Sequence, residues 1–313
     1  MLDDQQLDRA AGVLLGTAAG DALGAGYEFT YPETDQAIDM IGGGPFRFAP
    51  GQWTDDTSMA MVIALAADKD HPGITLDDVA AGFVAWWDSV PPDVGAQTAR
   101  VLSPRPGSAR AMHLQAMTIE GLTGGNGSLM RTAPVALAYL GDAAACARTA
   151  GTIGALTHHD KQAIEACQIW SCAIRHAVLH GSFDGVREAV AVSESAEYWN
   201  PLLDQAETGV PQDFPKNGWV VHALQTAWWA ISTTDQSDQT HLPRALERCV
   251  RAGGDTDTTA AIAGGLLGAR WGAAAVPTAW REKLHGYPGS TGEDLVQLAT
   301  RIATKNLSAT ASG

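Results

Sequence analysis

Between residues 6 and 23 the chain reads as one helix in which Gly12, Gly16 and Gly20 recur every four residues, with Gly24 next in the series. Positions four apart on an α-helix lie almost above one another, so this helix has one side without side chains. Such a bare stripe is stable in water only when another element lies directly against it. The same spacing marks helix pairs in membranes, but Arg9 and Asp21 bracket an apolar stretch too short to span a bilayer. The stripe therefore predicts a central helix in close contact with a second one inside a helical bundle.

The rest of the chain supports a bundle. Segments with apolar residues at helical spacing, opened by cap residues or closed by Gly and Pro, fall at 75–87, 109–120, 143–153, 160–179, 220–231, 242–251, 278–284 and 293–306. No run of β-branched residues alternates as a strand would, and there is no internal repeat of roughly 20 to 50 residues. With 313 residues, 45% of them apolar, the chain can bury a sizeable core and fold alone. No Pro/Gly/Ser linker divides it. The expected fold is all-α, a compact single-domain orthogonal helical bundle over residues 1–306, with a disordered tail at 307–313. The stretch 181–217 says least: a helical piece and a loop broken at Pro201, Pro211 and Pro215.

Two helix starts carry the chemistry. Trp53-Thr54-Asp55-Asp56-Thr57-Ser58-Met59 leads into the apolar run 60–67, and Gly253-Gly254-Asp255-Thr256-Asp257-Thr258-Thr259 leads into the Ala/Gly-rich run 260–269. Thr54 is a good N-cap and an acidic first turn suits the helix dipole, so either stretch alone is simply a well-capped helix. Two of them read as halves of one site. Residues two apart on a helix point about 200° apart, so Asp255 and Asp257 are both expected in an extended lead-in, projecting to one side. Asp55, Asp56, Asp255 and Asp257, with hydroxyls of Thr54 and Thr258, make an all-oxygen set, which fits hard cations such as Mg²⁺, Mn²⁺ or Ca²⁺ rather than Zn²⁺. Four negative charges balance two divalent ions; without them some carboxylates would have to protonate.

With these motifs the sequence resembles the ADP-ribosylglycohydrolase family. Gly20-Asp21-Ala22-Leu23-Gly24 with Glu28 just beyond, Pro92-Asp93-Val94-Gly95, Gly125-Asn126-Gly127-Ser128-Leu129-Met130-Arg131 and Thr157-His158-His159-Asp160 are similar, in order, to the family's other signatures. The resemblance implies an all-α fold with a binuclear metal site at converging helix N-termini. It implies two divalent cations, Mg²⁺ or Mn²⁺, on Thr54, Asp55, Asp56, Asp255, Asp257 and Thr258, with Asp257 as the bridge. It further implies an ADP-ribose site along Gly125, Asn126, Gly127, Ser128, Leu129 and Met130, with Asp93 and His158 beside the substrate. Glu28 would lie by the metals and the scissile bond and manage the proton there, with Asp55 or Asp56 in reserve as catalytic carboxylate. On the residues alone, several of these stay ordinary. Glu28 is a solvated carboxylate, Asp93 a helix cap, 121–128 a Gly-rich turn ahead of a helix starting near Leu129, and His158 a cap partner of a helix capped by Thr157 or Asp160.

The activity so implied is metal-dependent hydrolysis of the glycosidic bond of ADP-ribose attached to a protein side chain or in a small conjugate. Arginine is favoured, because a cationic guanidinium is drawn to an acidic pocket. Serine-linked or O-acetyl-ADP-ribose are the alternatives, with specificity set by loops such as 25–52 and 200–217. Readings of other classes are a catalytically silent ADP-ribose-binding or structural member of the fold, and a Ca²⁺-stabilised all-α protein unrelated to ADP-ribose. The net charge of −15 argues against general binding to nucleic acids or anionic membranes. Cys146, Cys167, Cys172 and Cys249 show no CxxC spacing and read as reduced thiols without assigned chemistry. The first residues carry no basic and apolar segments of a signal peptide, so a cytoplasmic protein is expected.

Overall fold

The structure is a computed structural model that describes residues 1–71 and 73–310, the side chains of 306–310 excepted. Helix α1 (Asp4–Gly24) is started by a capping box: Asp3 Oδ1 accepts from the Gln6 amide at 2.7 Å and Gln6 Oε1 from the Asp3 amide at 3.0 Å. A long irregular segment leads to α2 (Asp55–Ala67), followed by α3 (Leu76–Asp88), α4 (Ala96–Leu102) and α5 (Ala109–Met117). A 3₁₀ turn, Asn126–Arg131, precedes α6 (Ala133–Ala138), α7 (Ala143–Ala155), α8 (Lys161–His180), α9 (Gly185–Ala191) and α10 (Ala196–Thr208). The chain closes with α11 (Val220–Ser232), α12 (His241–Ala252), α13 (Thr256–Trp271), α14 (Thr278–Arg281), a short hairpin of β1 (His285–Gly286) and β2 (Ser290–Thr291), and α15 (Gly292–Thr310). Among the described residues no helix is long and apolar enough to cross a membrane.

The bare side of α1 meets α13. Gly12 lies against Gly268, Gly16 against Gly264, Gly20 against Ala260 and Gly24 against Asp257, an antiparallel register in which a Cβ on any of these four glycines would be driven into the backbone of α13. The remaining sides of α1 carry Val13, Leu14, Leu15 and Leu23, all buried under α15, α8 and α2. Because the two helices run antiparallel, the end of α1 adjoins the start of α13, and the Thr256 hydroxyl donates to the Gly24 carbonyl at 2.9 Å. This contact fixes where one acidic helix mouth sits.

Several expectations are corrected. Helix α13 begins between its two aspartates: Asp255 occupies the cap position, with φ −83° and ψ 78°, and Asp257 lies inside the first turn. Gly253 and Gly254, with φ of 74° and 71°, turn the chain so that both carboxylates still converge. No α-helix runs from Leu129, because Pro134 would clash with the carbonyl four residues back; the 3₁₀ turn comes first and Pro134 falls in the first turn of α6, where it is tolerated. Pro201 does not break the chain but lies inside α10, where Trp199, Leu203 and Ala206 are buried and outweigh the lost backbone bond. Two helices, α9 and α10, stand where one helical piece was expected. In the expected tail, α15 is continuous to Thr310, and 311–313 lie outside the described residues.

Candidate active site

The mouth of α2 is held by α1. Asp21, fully buried one turn from the end of α1, accepts from the Thr54 amide with Oδ1 at 2.9 Å and from the Thr57 amide and hydroxyl with Oδ2 at 2.9 and 2.6 Å. It thereby satisfies donors that the start of a helix leaves open. Thr54 caps from its own chain, its hydroxyl accepting from the Asp56 amide at 3.4 Å and donating to Asp56 Oδ2 at 3.1 Å. Asp55 and Asp93 line the same wall of one cleft. Asp93 is no helix cap; Gly95 holds the cap position of α4.

The mouth of α13, which touches the end of α1 at Gly24, has its carboxylates held by loops. The turn after α1 pairs with the residues ahead of α13: the Phe29 amide donates to the Gly254 carbonyl at 2.7 Å, and the Gly254 amide to that of Thr30 at 3.2 Å. Phe29 accepts a left-handed φ of 59° in this turn, which carries Glu28 over the two aspartates. One oxygen from each of Glu28, Asp255 and Asp257 lies within 4.8 Å of the other two. That is the reach of a single hard cation with oxygen ligands at about 2.1–2.5 Å on either side. Asp255 Oδ2 accepts from Asn126 Nδ2 at 2.7 Å, and the Asp255 amide donates to Asn217 Oδ1 at 3.1 Å. Asn217 also ties the other two pieces together, its carbonyl accepting from Asn126 Nδ2 at 2.9 Å and its Nδ2 donating to the Gly253 carbonyl at 2.8 Å. The mouths meet where the Thr258 hydroxyl reaches Asp56 Oδ2 at 3.4 Å.

Crowding sets the electrostatics. Burial, and then the charges of their neighbours, push Asp55, Asp56 and Asp257 well above the usual carboxylate range; the same causes, burial first and then Asp93, Asp255 and Asp21, raise Glu28 to about 8. Burial raises Asp21 and Asp93 to about 6, and Asp255 also lies above its ordinary value. Glu28 Oε2 and Asp56 Oδ1 are buried without a hydrogen-bond partner. Leaving such an acceptor dry and unpaired is costly, and a hard cation is the partner this donor set fits, whereas thiol and imidazole ligands for a softer metal are missing from it.

The acidic group opens into a cleft of about 330 Å³ lined by Glu28, Asp55, Asp93, Asp255, Asp257 and Thr258 on one side and Gly125, Asn126, Gly127, Met130 and His158 on the other. Ser128 and Leu129 are turned into the core. A larger groove, about 890 Å³, lies elsewhere between α7, α8 and α9 and holds none of these residues. Beneath the cleft, fully buried Arg131 donates through Nη2 to the Thr157 hydroxyl at 2.6 Å, with its guanidinium 4.6 Å from the centre of the Phe83 ring. Burial lowers Arg131 only to about 10, so it stays charged at neutral pH. Since Arg131 can only donate, the Thr157 hydroxyl accepts from it and passes its own hydrogen to His158 Nδ1 at 2.8 Å. His158 thus carries its hydrogen on Nε2, which faces Gly125 and Gly127 across the cleft floor. Burial and then Arg131 push His158 down to about 3, which makes it a neutral donor.

Sequence reading missed Asp21 as the anchor of α2, Asn217 as the link between the loops, and Phe29 and Phe46 at the cleft mouth. For Asp21 a signal existed: a carboxylate one residue from a glycine of the bare stripe is buried by necessity and must find donors. Asn217 and the two phenylalanines gave none, because their partners are distant in sequence.

Comparison with known proteins agrees with this geometry. The model of the ADP-ribosylglycohydrolase family matches residues 2–311. The chain is 35% identical over 290 residues to ADP-ribosyl-[dinitrogen reductase] glycohydrolase of Rhodospirillum rubrum, covering 88% of this chain and 90% of that protein. It is 30% identical over 299 residues to ADP-ribosylarginine hydrolase Tri1 of Pseudomonas putida, covering 90% and 75% respectively. A solved structure described as an ADP-ribosylglycohydrolase-related protein complex superposes with a TM-score of 0.79 at 27% identity, over 97% of this chain and 100% of that one.

Proposed function

The chain belongs to the ADP-ribosylglycohydrolase family, whose named members are hydrolases, and from that premise we propose that it is a divalent-metal-dependent enzyme that releases ADP-ribose from arginine side chains of a modified protein. The observation that carries this reading is the buried carboxylate group, two of whose oxygens lack a hydrogen-bond partner, at a cleft walled on its other side by a Gly-rich loop. Thr54, Asp55, Asp56, Asp255, Asp257 and Thr258 would hold two cations, Mg²⁺ or Mn²⁺, and the contact of Glu28 with Asp255 and Asp257 brings it within reach of the same ions. Bound there, divalent cations supply charge neutralisation and Lewis acidity toward ribose hydroxyls and water.

The protein's own groups do the rest. The backbone of Gly125 to Gly127 and the Nε2 hydrogen of His158 offer donors to the diphosphate and ribose oxygens. Cleavage at the anomeric carbon passes through an oxocarbenium-like state, whose positive charge the surrounding carboxylates stabilise. Glu28, set over Asp255 and Asp257 at the edge of the cleft, is positioned to exchange a proton with the leaving group or the attacking water. Asp55 or Asp56 is in reserve as catalytic carboxylate. The preference for arginine rests on charge: a guanidinium is cationic while attached, and the acidic mouth attracts it, whereas a serine ether has no such charge. The relative named ADP-ribosylarginine hydrolase supports the same choice. The test is release of ADP-ribose from an arginine-modified and a serine-modified protein, side by side, with Mg²⁺, Mn²⁺ or a chelator. Release from arginine that stops in chelator is expected. Faster release from serine would overturn the linkage, and full activity in chelator would overturn the role of the cations.

A further inference from the structure

Helices α7 and α8 pack antiparallel through small residues, Gly154 against Cys167 and Gly151 against Gln168 and Ile164. Further along the same seam, Cys172 of α8 reaches the first turn of α7, its Sγ 3.7 Å from the Ala143 carbonyl oxygen. Cys146 stands one turn on from Ala143 in α7, which makes it the neighbour of the Cys172 thiol across the seam. Cys146 is buried, whereas Cys172 is half-buried and forms part of the wall of the 890 Å³ groove beside Arg175. Neither thiol has a part in the acidic cleft.

We propose that Cys172 and Cys146 form an oxidation site for hydroperoxides, in which Cys172 is attacked first and Cys146 resolves it to an intrachain disulfide that ties α7 to α8. The two remaining cysteines, Cys167 and Cys249, are sealed in the core and do not reach the groove. The neighbouring Cys146 thiol, with Arg175 assisting, holds Cys172 below the ordinary thiol range despite partial burial. Access comes from the groove. In the first step the Cys172 thiolate takes the outer oxygen of hydrogen peroxide; the O–O bond breaks, hydroxide leaves and collects a proton, and the sulfur, oxidised by two electrons, becomes a sulfenic acid. In the second step Cys146 sulfur displaces the sulfenic hydroxyl, losing its own proton, so that two thiols and one peroxide give one disulfide and two waters.

The experiment is peptide mapping of the full chain after exposure to hydrogen peroxide, denaturation and alkylation. Free thiols should fall from four to two, with one cross-linked peptide pair joining the segments of Cys146 and Cys172, and a dithiol reductant should restore all four. Cys146→Ser should leave Cys172 as a sulfenic acid trapped by dimedone, and Cys172→Ser should abolish the reaction. The wild-type map decides alone if a serine variant fails to fold. Oxidation of Cys167 or Cys249 as fast as Cys172, a disulfide between two chains, or sulfinic acid at Cys172 without the cross-link would each overturn the proposal. Because the readout is the thiols themselves, it is independent of the glycohydrolase reading.

Discussion

The mouths of α2 and α13 look alike in sequence and are held in different ways. Thr54 and Thr57 at α2 are gripped by Asp21, a residue of the central helix, so that this mouth is an extension of the core. Asp255 at α13 makes no cap bond of its own; Asn126 and Asn217 hold it, and both belong to loops that border the cleft. One half of the site is therefore coupled to the stability of the fold and the other to whatever occupies the cleft. Carboxylates at equivalent places in two motifs need not do equivalent work.

The sharpest way to break this contrast is Asp257→Ala. It should reduce hydrolysis to background and remove Mg²⁺ or Mn²⁺ binding by calorimetry while the helical circular dichroism survives; retained binding would move the cations away from α13. Next, Glu28→Gln keeps the shape and removes the charge, and turnover should fall by about 10²–10⁴-fold with ADP-ribose affinity little changed. Unaltered turnover would leave Glu28 without a part in proton transfer. Asp21→Ala should act on the fold instead, because two amides and a hydroxyl lose their buried acceptor; a loss of about 3 kcal/mol in urea unfolding is expected. Asn217→Ala is the counterpart at α13: cation affinity should drop about 10–100-fold, with a smaller stability loss than in the Asp21 variant. If the two variants behaved alike, the distinction between the mouths would collapse.

The smallest effect is one of pH. Without cations, burial and neighbouring carboxylates raise Glu28 from 4.5 to about 8, so the folded state holds a proton that the unfolded chain gives up. Stability from that proton is present at low pH and is lost as pH rises from 4.5 through about 8. In chelator, Tm should therefore fall across this window. Saturating Mg²⁺ or Mn²⁺ should flatten the slope or reverse it, since the cations bind the deprotonated carboxylates; equal slopes with and without cations would separate the acidic group from cation binding.

How much could be read beforehand follows from the range of each interaction. The bare stripe of α1 and the capped start at Thr54 were legible because spacing and capping are local, and the stripe demanded a partner even before α13 was known to supply it. The boundary of α13 was misjudged because the two positive-φ glycines, not an extended lead-in, bring Asp255 and Asp257 together. Pro201 misled because tertiary burial of Trp199 and Leu203 overrode its local preference. Asn217 was invisible, since its role exists only through contacts with Asn126 and Gly253 made after folding. The facing thiols of Cys146 and Cys172 were hidden for the same reason.

The glycine contact between α1 and α13 bears on timescales as well as position. Where two main chains touch directly, no side chain lies between them to hop rotamers, and the seam can open only by separating the helices. Amides in the middle of α1 and α13 should then exchange with solvent hydrogen only through global unfolding, while those of 25–53 and 89–95 exchange through local opening. On that expectation the α1–α13 seam would stay fixed while the loops that carry Glu28 and Asp93 open.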